Sequence, residues 1–132
     1  MIVHFYQAFD TLKNSPARRN KYILISSISA LLINLALWFF LYIYLNRILA
    51  SNPEVTSIPL HYNVFLGIDL VASWWQAFFL PLIGLAIIIV NTLLAFMVYS
   101  KKSLASYFLT TTSLLVHVTL AVAGLLIVLI NL

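Results

Sequence analysis

An all-α membrane protein with three transmembrane helices is the fold class this sequence predicts, and three observations predict it. Of 132 residues, 64% are hydrophobic and only 8% are charged, with a mean hydropathy of +1.07. A water-soluble domain of this size has too little interior to hide that much apolar surface. Three stretches without a charged side chain, Tyr22 to Asn46, Leu70 to Ser100 and Ser103 to Leu132, take up most of the chain, and each exceeds the roughly 20 residues that a span needs. Finally, Lys13, Arg18, Arg19, Lys21, Lys101 and Lys102 fall on one side of these stretches and only Arg47 on the other. The positive-inside rule then places the N-terminus and the Lys101 turn in the cytoplasm, and the long loop and the C-terminus outside. The chain reads as one membrane domain, residues 1–132, with no room for a soluble catalytic module.

Taken in order, Ile2, Phe5, Tyr6, Phe9 and Leu12 recur at helical spacing, so residues 1–14 read as a short amphipathic helix lying on the membrane surface. Asn14-Ser15-Pro16 punctuates. Ser15 can cap and Pro16 suits a first helical position, which starts a helix at residue 16 that runs through the basic cluster and carries the first span to residue 46. The apolar run is longer than the roughly 7–15 residues of a signal-peptide core, so it reads as a retained anchor. Trp38, Tyr42 and Tyr44 crowd its far end as an interfacial belt. Residues 47–72 form the outer loop. Ser73 with Gln76 makes a capping box that opens the second span at 73–99, with Asp69 as an alternative cap, and Trp74 and Trp75 sit at the interface. Residues 100–103 leave room only for a tight cytoplasmic turn, so the second span and the third, 104–132, are antiparallel neighbours.

With no cysteine, the chain has no disulfide framework, thiolate metal site or thiol nucleophile. Basic residues beside spans set topology and meet lipid head groups, so Arg18, Arg19, Lys21, Lys101 and Lys102 are assigned there and nucleic acid is not expected as a partner. The spans hold no Asp, Glu, Lys or Arg, which argues against a pump or exporter built on a membrane carboxylate. Their polar groups are few. Ser106, Thr110, Ser113, His117, Ala121 and Gly124 follow one another at steps of three or four, a stripe that lets helices approach closely. Asn34, Asn91, His117 and Ser113 form a candidate polar layer near the midplane, with Ser27, Ala30, Gly84 and Ala95 on matching faces. Left unpaired in hydrocarbon each group would be costly, so they are expected to face one another or a partner. Without an acidic neighbour, His117 is expected to sit as a neutral imidazole that accepts and donates hydrogen bonds. Ser113 and His117 are the one geometric candidate for a nucleophile with its base.

In the outer loop, His61, Asp69 and Glu54 match no compact metal-binding spacing. Local structure accounts for most of this segment: Asn63 closes a turn and Gly67 takes a positive φ. His61, Tyr62, Asn63, Gly67, Asp69, Trp74 and Trp75 also make a candidate docking surface, because an apolar, aromatic loop outside the membrane must be buried against the bundle, the interface or another protein.

Leu60-His61-Tyr62-Asn63, then Gly67-Ile68-Asp69, Trp74-Trp75 and Leu80-Pro81-Leu82-Ile83-Gly84 resemble an uncharacterised family of small bacterial inner-membrane proteins with a Leu-His-Tyr-Asn, Gly-Ile-Asp signature. The resemblance covers about residues 58–85 and implies a multi-pass protein of the bacterial inner membrane, without implying an activity. Phosphate loops, zinc-protease and serine-elbow motifs are absent from the sequence. The expectation is a non-catalytic membrane protein without a cofactor or metal, an accessory subunit or self-associating scaffold whose partners are lipid and other membrane proteins or copies of itself. The alternative is a small oligomeric channel or transporter lined by the polar layer.

Overall fold

In a computed structural model of the chain, residue 6 and residues 10–132 are described. The interfacial helix expected over residues 1–14 lies for the most part outside them. Residues 10–14 are helical, with the Asn14 amide donating to Asp10 Oδ1 at 2.9 Å one turn earlier. Ser15 ends that helix. Its hydroxyl accepts from the Ala17 N–H at 3.3 Å and donates to the Phe96 carbonyl at 2.6 Å, which ties the start of the chain to the far end of a later helix. Pro16 opens a single 3₁₀ turn, Pro16–Arg19, where a missing N–H costs nothing.

The continuous helix expected from residue 16 is interrupted at Asn20, whose backbone is extended and whose side-chain oxygen accepts from the Ile23 N–H at 3.2 Å. This is a helix N-cap, and it opens α1 (Lys21–Ser51). The same amide donates to the hydroxyls of Tyr99 (2.9 Å) and Tyr107 (3.0 Å), so one side chain joins three segments distant in sequence. Asn20→Ala removes the cap and both cross-links, and a loss of about 1–2 kcal/mol is expected from a partly buried network of this kind. Denaturant titration in mild detergent checks it, with Tyr99→Phe and Tyr107→Phe each showing a smaller part of the loss.

The 31 residues of α1 span about 46 Å, more than a hydrocarbon core of about 30 Å. The helix runs on through Asn46 and Arg47 because nothing breaks it before Pro53, so the outer loop begins later than residue 47. That loop is also ordered differently from the expectation. Residues Ser57–Asn63 (β1) and Gly67–Ser73 (β2) pair as an antiparallel hairpin, with Tyr62 opposite Ile68 and Ile58 opposite Ala72. Pro59 and Gly67 are residues that ordinarily interrupt regular structure. Pro59 is tolerated because a two-stranded ribbon has two open edges, and the register shifts just after it, between Pro59 and His61. Gly67, at φ +77°, closes the turn as expected.

Ser73 makes no side-chain cap bond, so the expected capping box does not form, and Asp69, the alternative cap, lies within β2. A 3₁₀ segment, Trp74–Phe78, leads into α2 (Phe79–Val98). Pro81 sits in the first turn of α2, where its lost donor is one that the helix could not use. After a tight turn, α3 (Ser103–Leu129) runs back. All three long helices are long and apolar enough to cross a membrane.

α3 packs along both α1 and α2, which touch each other less. Buried positions recur at steps of three and four: Ile23, Ser26, Ala30, Asn34, Leu37, Leu41 and Leu45 on α1, and Ser106, Thr110, Ser113 and His117 on α3, with Gly124 two turns beyond. That spacing is the seam of packed helices: α3 runs parallel to α1, with Tyr22 against Thr111 and Leu37 against Gly124, and antiparallel to α2. At the basic end the seam is held by polar links, with Ser106 Oγ donating to the Ala95 carbonyl at 2.7 Å and Tyr22 OH bonded to Thr111 Oγ1 at 2.7 Å. At the hairpin end it is apolar, built from Leu37, Leu41, Leu45, Ile58, Ala77, Ile127 and Val128. Ile58 brings the base of the hairpin into this core, and Asn131 Nδ2 fastens it by donating to the Pro59 carbonyl at 2.7 Å. Asn131→Ala should release β1 from the end of α3 for about 1 kcal/mol. Faster amide exchange confined to Ser57–Ser73 is the expected readout.

Candidate functional site

The centre of the bundle holds three of the four side chains of the candidate polar layer. Asn34 from α1 is 1% exposed, and Ser113 and His117 from α3 are 2% and 0% exposed. His117 Nδ1 lies 2.6 Å from the carbonyl oxygen of Ser113. A carbonyl can only accept, so Nδ1 carries a proton and donates to that oxygen. Nε2 faces Gly84 of α2. A Cβ built on Gly84 would lie 3.0 Å from His117 Nε2, 2.5 Å from Asn34 Oδ1 and 3.0 Å from Leu120 Cδ1. The three helices therefore meet at Gly84, and only a residue without a side chain fits between the amide and the imidazole.

Nε2 of His117, both polar atoms of the Asn34 amide and the Ser113 hydroxyl are buried without a hydrogen-bond partner. This arrangement is sealed but not satisfied. It also departs from a nucleophile with its base, because His117 spends Nδ1 on the Ser113 main chain while the Ser113 hydroxyl stays unbonded. Asn91 is not brought into the centre: it is half-buried on the same face of α2, seven residues beyond Gly84 and so about 10 Å toward the basic end.

The other stripe residues on α3 divide. Ser106 reaches α2, whereas Thr110 returns its hydroxyl to its own helix, to the Ser106 and Tyr107 carbonyls at 3.2 Å each. Gly124 lies against the tip of Leu37, and Ala121 is only half-buried, lining an apolar groove of about 300 Å³ between α1 and α3 with Ile33, Ala36, Phe40 and Leu125. Leu120, next to Ala121, reaches Gly84 of α2 and packs on the apolar core.

The hairpin distributes its residues by role. His61 Nδ1 and Asp69 Oδ1 pair at 2.6 Å across the strands. Asn63 Oδ1 accepts from the Phe65 N–H at 2.9 Å and, with Gly67, shapes the turn. Trp74 packs on the apolar core, Trp75 stands half-exposed in edge contact with Phe79 at 5.5 Å, and Tyr62 is half-exposed. Among the described residues no three of His, Cys, Asp or Glu come together as metal ligands. At the other end Arg18, Arg19, Lys21, Lys101 and Lys102 are exposed, and Arg18 donates to the Lys13 carbonyl at 3.1 Å.

The Asn20, Tyr99 and Tyr107 knot is the feature that sequence reasoning missed. Asn20 before a long apolar run is a readable cap signal, but nothing local connects it with tyrosines some 80 residues on. In comparisons with family models, curated proteins and solved structures, no match to this chain is found.

Proposed function

We propose that this chain is a non-catalytic multi-pass membrane protein, an accessory subunit or self-associating scaffold. The basic end faces the cytoplasm and the hairpin and C-terminus lie outside, as the charge asymmetry favours. The observation that carries this reading is the closed polar centre: Asn34, Ser113 and His117 are no more than 2% exposed where three helices cross, whereas a conduit keeps such groups hydrated and open to both sides. With the polar groups inside, the outward faces of all three helices are apolar and are left to lipid and to neighbouring membrane proteins. The resemblance of residues 58–85 to small bacterial inner-membrane proteins supports a bacterial inner-membrane setting.

One observation favours a channel or transporter as the second reading. The unspent hydrogen-bonding capacity of Asn34, Ser113 and His117 is what a permeant polar species would use. Native mass in lipid nanodiscs, with co-purifying proteins identified, tests the choice. A discrete complex with other proteins, or a self-assembly in which His117→Ala changes no solute flux, is expected. A self-assembly whose flux collapses in His117→Ala establishes the conduit, and a lone monomer contradicts both readings.

A further inference from the structure

The turn of the hairpin is built by its flanks. Asn63 supplies the side-chain acceptor and Gly67 the left-handed backbone, so Val64, Phe65 and Leu66 between them answer to no local requirement of the fold. Turns ordinarily carry small or polar residues there. These three are instead large, apolar and 82%, 94% and 76% exposed. Ile68, Leu70 and Val71 on β2 and Tyr62 on β1 continue the exposed apolar surface toward Trp75 and Phe79, where the lipid-facing side of α2 begins. Charge is nearly missing from this region. Between Thr56 and Ser100 the one acidic side chain is Asp69 and no Lys or Arg occurs, and Asp69 is paired with His61.

We propose that the Val64-Phe65-Leu66 tip is a lipid wedge that inserts into the leaflet on the hairpin side of the membrane, a reading that rests on the helices being membrane-embedded. Composition decides between lipid and protein as the occupant. A protein interface carries a polar rim and about one hydrogen bond per 100–200 Å², and this surface offers almost no polar group, whereas a few apolar and aromatic residues at the boundary of a bilayer suffice to anchor an element already tethered there. The one acidic group within this surface, Asp69, is paired with His61. Its base is fixed by Ile58 and by the Asn131 bond to Pro59, so insertion of the tip would hold the outer end of the bundle at a set depth and orientation.

The chain has no cysteine, which allows clean single-site labelling. The test is nitroxide accessibility on the full chain in phosphatidylcholine and phosphatidylglycerol vesicles, with labels at Phe65→Cys, Thr56→Cys and Ile89→Cys. Collisions with oxygen, which concentrates in lipid, are compared with those of a water-soluble nickel chelate. The label at 65 is expected to favour oxygen as the one at 89 does, and the one at 56 to favour nickel. Adding Phe65→Asp, with the label moved to Ile68→Cys, should abolish the lipid preference there. Nickel access at 65 equal to that at 56 overturns the proposal, as does shielding from both reagents with dipolar coupling between labels on two copies, which would make the tip a protein contact. If the label at 89 also favours nickel, the membrane reading itself fails, a result distinct from failure of the wedge alone.

Discussion

Gly84→Ala lowers the stability of the bundle by about 1–3 kcal/mol, the usual range for forcing a methyl into a well-packed interior, and Gly84→Leu prevents the native packing altogether. The added Cβ would sit 2.5 Å from Asn34 Oδ1 and 3.0 Å from both His117 Nε2 and Leu120 Cδ1. Contacts on two helices must give way at once. Gly124 is the internal control: its added Cβ would meet the terminal methyl of Leu37, a flexible side-chain end, with the next atoms at 3.7 Å, so Gly124→Ala costs less. Gly67→Ala meets open space and suffers only the strain of its positive φ, about 1 kcal/mol. Unfolding free energies in mixed micelles should rank Gly84 well above Gly124 and Gly67. An equal loss at all three positions would mean that the helices do not cross at Gly84.

Asn34→Leu leaves the protein as stable as the parent or raises its stability by about 1–3 kcal/mol, the cost of a buried polar group without a partner. The amide is sealed at 1% exposure with neither atom bonded, and Leu has nearly the same outline. A polar residue in the core of a membrane bundle would ordinarily be expected to hold helices together, so the sign of this effect is diagnostic. His117→Leu behaves differently, because it breaks the bond to the Ser113 carbonyl and removes a ring that fills the space beside Gly84. A clear loss of stability in Asn34→Leu would show that the amide is paired in the membrane.

The three spans could be read from the sequence because hydropathy over 20 residues or more is a property of composition, insensitive to tertiary detail. The stripe on α3 was legible for the same kind of reason: a step of three or four residues is fixed by helix geometry. Ala121 shows the limit of that argument: three or four residues do not complete a whole number of turns at about 3.6 per turn, so Ala121 faces the groove beside α1 while Leu120 reaches Gly84 of α2. Asn91 groups with Asn34 and His117 by residue type, by face and by rough position within its span, but depth within a span depends on where each helix enters the membrane. For α2 that point was obscured by a 3₁₀ segment that replaced the expected capping box. The hairpin was hidden because Pro59 and Gly67 read locally as breakers, while pairing of β1 with β2 satisfies both. The knot of Asn20, Tyr99 and Tyr107 depends on contacts between residues 79 and 87 positions apart, and no pattern within one segment records it.

A closed, dry centre where the three helices cross is what separates a scaffold from a conduit. With no native cysteine, Ser113→Cys places one nearly isosteric thiol at that centre. The measurement is its reaction with a membrane-impermeant, cationic thiol reagent, applied from each side of sealed vesicles, with Thr56→Cys as the exposed reference. No modification at 113 from either side, over the time in which Cys at 56 reacts to completion, is the predicted result. Modification at 113 from either side would contradict the account, because it requires a water-filled path to the Asn34, Gly84 and His117 crossing.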